Sequence, residues 1–230
     1  MTDRDAQNQA MYDALHARIS EQIPGFEVRF KDESRSQRAL ATAIRPFVRG
    51  YLENYTTTLG KHVYFPTRGY VERSASLAWK TLAHEYVHLW DGRKHPVKFS
   101  LSYVFPQAGA VAALGAVAAI WNPWALFALG ALGAAGPWPS RGRVAAEVRG
   151  YGMDLAIKYW MNGRRPYYKS LVTTFTNWSY YRMSWSREWV TAAFEAVCDS
   201  LEATGLPFDQ DVEPFEDVRQ LMAEHGFGPD

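Results

Sequence analysis

The sequence is most unusual for a long stretch without charge. From residue 99 to residue 140 it contains no Asp, Glu, Lys, Arg or His. Over the whole chain the formal net charge is only +1. A nearly neutral chain without a clear basic face lacks the electrostatic footprint of a general polyanion binder, so no nucleic-acid partner is expected.

Cysteine is almost absent as well. Cys198 is the single cysteine among 230 residues, which excludes an intrachain disulfide and suits a reducing compartment. The first residues, MTDRDAQNQAMYD, are polar and have no apolar core of the signal-peptide kind. These two absences predict a cytoplasmic protein, or one held at the cytoplasmic face of a membrane.

Hydrophobic periodicity predicts an α+β fold that is mostly helical, with a small β-sheet. The predicted helices cover residues 3–23, 37–53, 74–91, 143–161 and 189–204, and the predicted strands cover residues 26–30, 55–59 and 62–65. The expected organisation has four parts. They are an N-terminal helix, sheet and motif helix (1–98), a hydrophobic helical hairpin (99–140), C-terminal helices (141–205) and an acidic tail (206–230).

The predicted helix over residues 74–91 carries the motif HEYVH. Residues four apart lie on one face of a helix, so His84 and His88 can each offer a ring nitrogen to one metal ion. Glu85 lies beside the first histidine and can act as general base toward a water molecule that zinc acidifies. HExxH on a helix is a signature of zinc metallopeptidases.

A catalytic zinc site needs three protein ligands and an open position, so a third ligand must exist. His95 misses the HExxHxxGxxH spacing by one residue. Asp91 lies close to His88 and is better placed to orient a histidine than to bind metal. Glu195 and Asp199 are acidic but have no supporting pattern around them. Glu147 is favoured, because it lies on another predicted helix.

Glu147 shares a helix face with Tyr151 and Asp154 in the segment RVAAEVRGYGMDLA. HEYVH followed at a distance by a helical glutamate resembles the gluzincin metallopeptidases, in particular the membrane-associated CaaX prenyl protease and heat-shock protease type. The resemblance implies a zincin-like core, with His84, His88 and Glu147 as zinc ligands and Glu85 as general base. The family commonly has an aspartate where this chain has Tyr151.

Asp154, further along that helix, and Asp91 are therefore the candidates for residues that orient the histidines from behind. An oxyanion-stabilising donor is also needed, for which Tyr151 is the main candidate. Others in an aromatic-rich region are Tyr180, Tyr181 and Arg182.

The family also presents its substrate as an added strand at a sheet edge. The candidates for that edge are His62, Val63 and Tyr64, in the strand HVYF. The alternative is an ordinary core hairpin.

The uncharged block is long enough for two short membrane-spanning helices joined at Asn122-Pro123. Tryptophans flank this turn, and basic residues stand at both outer ends of the block, which predicts a hairpin with both ends cytoplasmic. The alternative is a helical hairpin that is buried in the fold or in an oligomer or larger assembly.

Two functions follow. The first is a zinc-dependent endopeptidase that hydrolyses peptide bonds and is associated with a membrane through the hairpin. The second is a non-enzymatic protein that is structural or membrane-inserting, such as a phage-particle or toxin component, whose zinc site only braces the fold. Cleavage by the wild type and not by Glu85→Gln distinguishes them.

Overall fold

A computed structural model describes residues 2–44, 50–104, 122–135, 138–177 and 183–229. About 70% of the protein is helical, and a three-stranded sheet completes the fold. The prediction of a mostly helical α+β protein is therefore confirmed.

The elements follow one another with short connections. The helices are α1 Asp3–Gln22, α2 Arg35–Ile44, α3 Tyr51–Asn54, α4 Arg68–Arg73, α5 Ala75–Lys94, α6 Pro96–Val104, α7 Arg141–Asn162, α8 Lys169–Thr176, α9 Arg187–Thr204 and α10 Glu213–Glu224. The strands are β1 Glu27–Phe30, β2 Thr57–Leu59 and β3 His62–Phe65. A 3-10 helix, Pro123–Ala135, lies between α6 and α7.

The sheet has the order β1-β3-β2, so β3 is its central strand. β2 and β3 form the predicted antiparallel hairpin, in which Thr58 lies opposite Val63. Its turn contains Gly60, whose φ of 61° is a backbone conformation that glycine adopts at little cost. β1 pairs with the other side of β3 in parallel, with Val28 opposite Val63.

Helix α5 is the centre of the packing, with α1, α7 and α10 against it. Its buried Trp79 donates a hydrogen bond to Asn8 of α1 at 2.8 Å, and Tyr86 donates one to Asp217 of α10 at 2.7 Å. Both polar atoms therefore enter the core with a partner, as buried hydrogen-bonding groups must. Segments 1–98, 141–205 and 206–230 all contribute side chains to this one core.

The motif helix is longer than the sequence predicts. Gly92 does not end α5, which continues to Lys94 and is capped at His95. Pro96 begins α6 directly afterwards, at a first helical position where its missing N–H costs nothing. Phe99 of α6 packs 3.5 Å from where a Cβ of Gly92 would lie, so this glycine serves helix packing.

The two ends of the uncharged block meet. The Ser140 hydroxyl donates a hydrogen bond to the backbone carbonyl of Ser102 at 3.1 Å. In between, the structure describes the end of α6 and the 3-10 helix, and most of the predicted hairpin lies outside the described residues. In the part of the chain that is described, no helix combines the length and apolar character needed to cross a membrane.

Candidate metal centre

Helix α5 brings His84, Glu85 and His88 into the interior. Ser74 caps its N-terminus, with its hydroxyl oxygen accepting from the backbone N–H of Leu77 at 3.2 Å. The predicted helix over 74–91 is thus anchored by the predicted cap. Glu85 and His88 are buried, and His84 is partly exposed. The motif therefore lies at the border between core and solvent.

Helix α7 brings Glu147 to the same place. Its N-terminus is capped by Ser140, the residue that also holds α6, through a 3.4 Å bond from the Arg143 backbone N–H. Gly150 lies where α7 approaches α5, and a Cβ added there would come within 2.5 Å of His84 Nε2. The glycine lets the two helix backbones approach closely enough for Glu147 to reach both histidines.

His84, His88 and Glu147 form a cluster whose ligand atoms all lie within 4.8 Å of one another. Glu147 Oε2 is 3.8 Å from His84 Nε2 and 4.0 Å from His88 Nε2. Metal–ligand distances of about 2.0–2.2 Å in a tetrahedral zinc site correspond to ligand–ligand distances of about 3.3 Å. Small side-chain rotations close that gap, and two imidazoles with one carboxylate are a donor set that suits zinc.

Asp154 holds the other nitrogen of His84. Its Oδ2 lies 3.2 Å from His84 Nδ1, one helical segment beyond Glu147 on α7. Burial opposes a charge on the His84 ring, but the carboxylates of Asp154, Glu147 and Glu85 outweigh it, so the pKa of His84 lies well above its usual value. With the proton on Nδ1, the ring donates to Asp154 and presents Nε2 to Glu147.

Glu85 is held from the sheet. Its Oε2 accepts a hydrogen bond from the Thr58 hydroxyl of β2 at 2.7 Å. Sequence reasoning missed Thr58, because one hydroxyl in a strand of threonines carries no motif. It also missed Gly150, for which a signal existed, since a glycine in a helix interior is unfavourable and points to close packing.

Tyr151 lies against the cluster. Its ring meets the His84 ring edge to face, with centroids 4.9 Å apart, and contacts Phe175 at 5.4 Å on another side. Tyr151 is therefore next to the candidate ligands, as the predicted oxyanion donor has to be. The other candidates, residues 180–182, lie outside the described residues.

The remaining predicted residues lie away from the cluster. Asp91 does not orient a histidine, since both its oxygens accept from Arg149 of α7, at 2.9 and 3.1 Å. His95 is the exposed C-cap of α5, and Glu195 is exposed on α9. Asp199 pairs with Arg165 at 2.8 Å. Among the candidates for a third ligand, Glu147 is the one that meets His84 and His88.

The predicted substrate edge is wrong. His62, Val63 and Tyr64 belong to β3, which is central and pairs with β1 on one side and β2 on the other. An incoming strand needs unpaired backbone groups, which β3 offers on neither side. Of the described strands, β2 is the edge strand that contacts α5.

Comparison of the chain with protein families, with curated proteins and with solved structures gives no match. The functional argument therefore depends on the chemistry of the site alone.

Proposed function

We propose that this protein is a zinc-dependent endopeptidase with a zincin-like core formed by the sheet, α5 and α7. One observation carries the proposal. Two histidines four apart on α5 meet a glutamate from α7, and the glutamate beside the first histidine is buried next to them. This is the donor set of a catalytic His2Glu zinc site, with a carboxylate in the general-base position.

His84, His88 and Glu147 would hold the metal, and Asp154 would fix the tautomer of His84. Zinc bound there supplies Lewis acidity, which polarises a substrate carbonyl and lowers the pKa of a water molecule. Glu85 accepts a proton from the attacking water and passes it to the amine that leaves. Tyr151, with its ring against His84, is the proposed donor to the oxyanion.

The peptide substrate would bind beside β2. As the edge strand next to the motif helix, it can add an extended peptide by backbone hydrogen bonds. Thr58 connects this strand directly to Glu85. The substrate-binding role predicted for the HVYF strand thus passes to its neighbour, Thr57–Leu59.

We also propose that the protein is associated with a membrane, at its cytoplasmic face. The described part of the uncharged block exposes Trp124 and Phe127, which are 73% and 75% accessible. Leu126 and Leu129 of the same 3-10 helix are exposed too. Contiguous exposed apolar and aromatic side chains next to basic residues are typical of a membrane interface.

The experiment combines metal analysis with peptide cleavage. The wild type is expected to bind about one zinc per chain, and Glu147→Ala and His84→Ala are expected to lose it. Glu195→Ala is the matched control, because it removes an exposed glutamate that is not near the cluster. Glu85→Gln is expected to keep its zinc and to lose cleavage of fluorescein-labelled casein. Stoichiometric zinc in Glu147→Ala would show that Glu147 is not a ligand.

The second candidate is a metal that only braces the fold. It is favoured by the position of the cluster, which joins α5 to α7 at the centre of the packing. In that case wild type and Glu85→Gln are equally inert toward casein, while removal of zinc lowers the melting temperature of both by the same amount.

A further inference from the structure

Glu85 is joined to the sheet by a single hydroxyl. Thr58 lies in the middle of β2, opposite Val63 of β3, so the backbone ladder fixes its position. Its Oγ1 donates to Glu85 Oε2 at 2.7 Å, a short distance typical of a hydroxyl bound to a carboxylate. The bond therefore connects an edge strand to the motif helix through the carboxylate itself.

A buried amine lies on the same side of Glu85. Lys31 follows β1 and is fully buried, with Nζ donating to the Tyr51 carbonyl at 3.1 Å and lying 3.6 Å from the centre of the Tyr51 ring. Its charge interacts favourably with Glu85. A lysine ammonium acts as a point charge and attracts either carboxylate oxygen, so it does not determine which oxygen points where.

We propose that Thr58 is a positioning residue for Glu85. By binding Oε2 it fixes the rotation of the carboxylate and leaves Oε1 as the oxygen that accepts the proton of the attacking water. The proposal rests on the proposed peptidase function. It also gives β2 a double role, because the strand that would bind the substrate aligns the general base as well.

The size of the effect follows from the kind of bond. Hydrogen bonds to charged groups contribute about 1.5–3 kcal/mol, or about 10- to 100-fold in a rate that depends on them. Misplacing a catalytic group by about 1 Å has an effect of similar size. Loss of the Thr58 hydroxyl is therefore expected to lower kcat by about 10- to 100-fold while KM changes by less than about 3-fold, since the groups that would bind substrate on β2 belong to the backbone.

The test compares three variants on fluorescein-labelled casein. Thr58→Val removes the hydroxyl and keeps the shape, and Thr58→Ser restores a hydroxyl. Thr81→Val is the control, because Thr81 lies one turn before Glu85 on α5 and its hydroxyl contacts Tyr70 instead. We expect a lower kcat for Thr58→Val, recovery in Thr58→Ser, a wild-type kcat for Thr81→Val, and wild-type zinc affinity in all three.

A second measurement does not depend on activity. In zinc-free protein labelled with 13C-glutamate, the carboxyl resonance of Glu85 is identified by its absence from Glu85→Gln. It should shift in Thr58→Val and return in Thr58→Ser. An unchanged resonance, or a Thr58→Val enzyme as active as an active wild type, overturns the role of Thr58 alone. A wild type that cleaves no more than Glu85→Gln overturns the peptidase function.

Discussion

Nδ1 of His84 lies 3.2 Å from Oδ2 of Asp154, on the side of the ring opposite the nitrogen that faces Glu147. One α7 helix thus supplies both the carboxylate that meets Nε2 and the carboxylate that holds Nδ1. The pair is an imidazole oriented by a carboxylate, the usual arrangement behind a histidine that binds metal.

Replacing Asp154 by asparagine should therefore weaken zinc binding without removing a ligand. We expect Asp154→Asn to lower zinc affinity by about 10- to 100-fold, measured by competition with a chromophoric chelator. Asp91→Asn is the matched control, because Asp91 pairs with Arg149 and touches no candidate ligand. It should lower the melting temperature and leave zinc affinity unchanged. Equal losses of affinity in both variants would contradict the role of Asp154.

The sequence predicts those parts of the site that depend on local patterns. The spacing of His84 and His88 and the cap at Ser74 indicate the motif helix, because helix periodicity and capping involve neighbouring residues. Glu147 is 59 residues away from His88, and its approach depends on how α7 packs on α5. The resemblance to a family supplied that residue, and the geometry then brought it to the histidines.

The order of the strands shows why the rest could not be predicted. The β2–β3 hairpin follows from a short turn at Gly60. The parallel pairing of β1 with β3 joins segments far apart in the sequence, such as Val28 and Val63, and depends on tertiary packing. Without that pairing, Tyr64 and its neighbours read equally well as an edge strand, which the structure contradicts.

A methyl group at position 150 should block the metal site. The Cβ in Gly150→Ala would lie 2.5 Å from His84 Nε2, the atom that faces Glu147. We expect the variant to purify without zinc, and zinc to leave its melting temperature unchanged. Gly152→Ala is the control on the same helix, because its Cβ would meet Phe208 at 2.7 Å, away from the cluster. It should be less stable and still gain stability from zinc.

The exposed aromatic residues of the 3-10 helix should hold the protein on lipid. Trp124 and Phe127 stack with ring centroids 5.6 Å apart and are among the most accessible apolar side chains described. Replacing both by serine is expected to lower binding to vesicles of phosphatidylcholine and phosphatidylglycerol by at least about 10-fold, measured by flotation. Serine at Tyr167 and Trp189, which are exposed outside the uncharged block, should leave flotation unchanged. A wild type that does not float contradicts membrane association.

Lys31 should make stability depend on pH. Burial lowers the pKa of its ammonium from 10.5 to about 7 in the folded protein. Between these values the unfolded chain holds a proton that the folded protein lacks, so the free energy of unfolding rises with pH, by up to about 1.4 kcal/mol per pH unit. Lys31→Met removes this contribution. In urea titrations of zinc-free protein from pH 6 to pH 10, the variant is expected to be more stable than the wild type near neutral pH, and the difference should shrink as pH rises. Lys61→Met, at an exposed lysine, should follow the wild type, and a constant difference for Lys31→Met would contradict the lowered pKa.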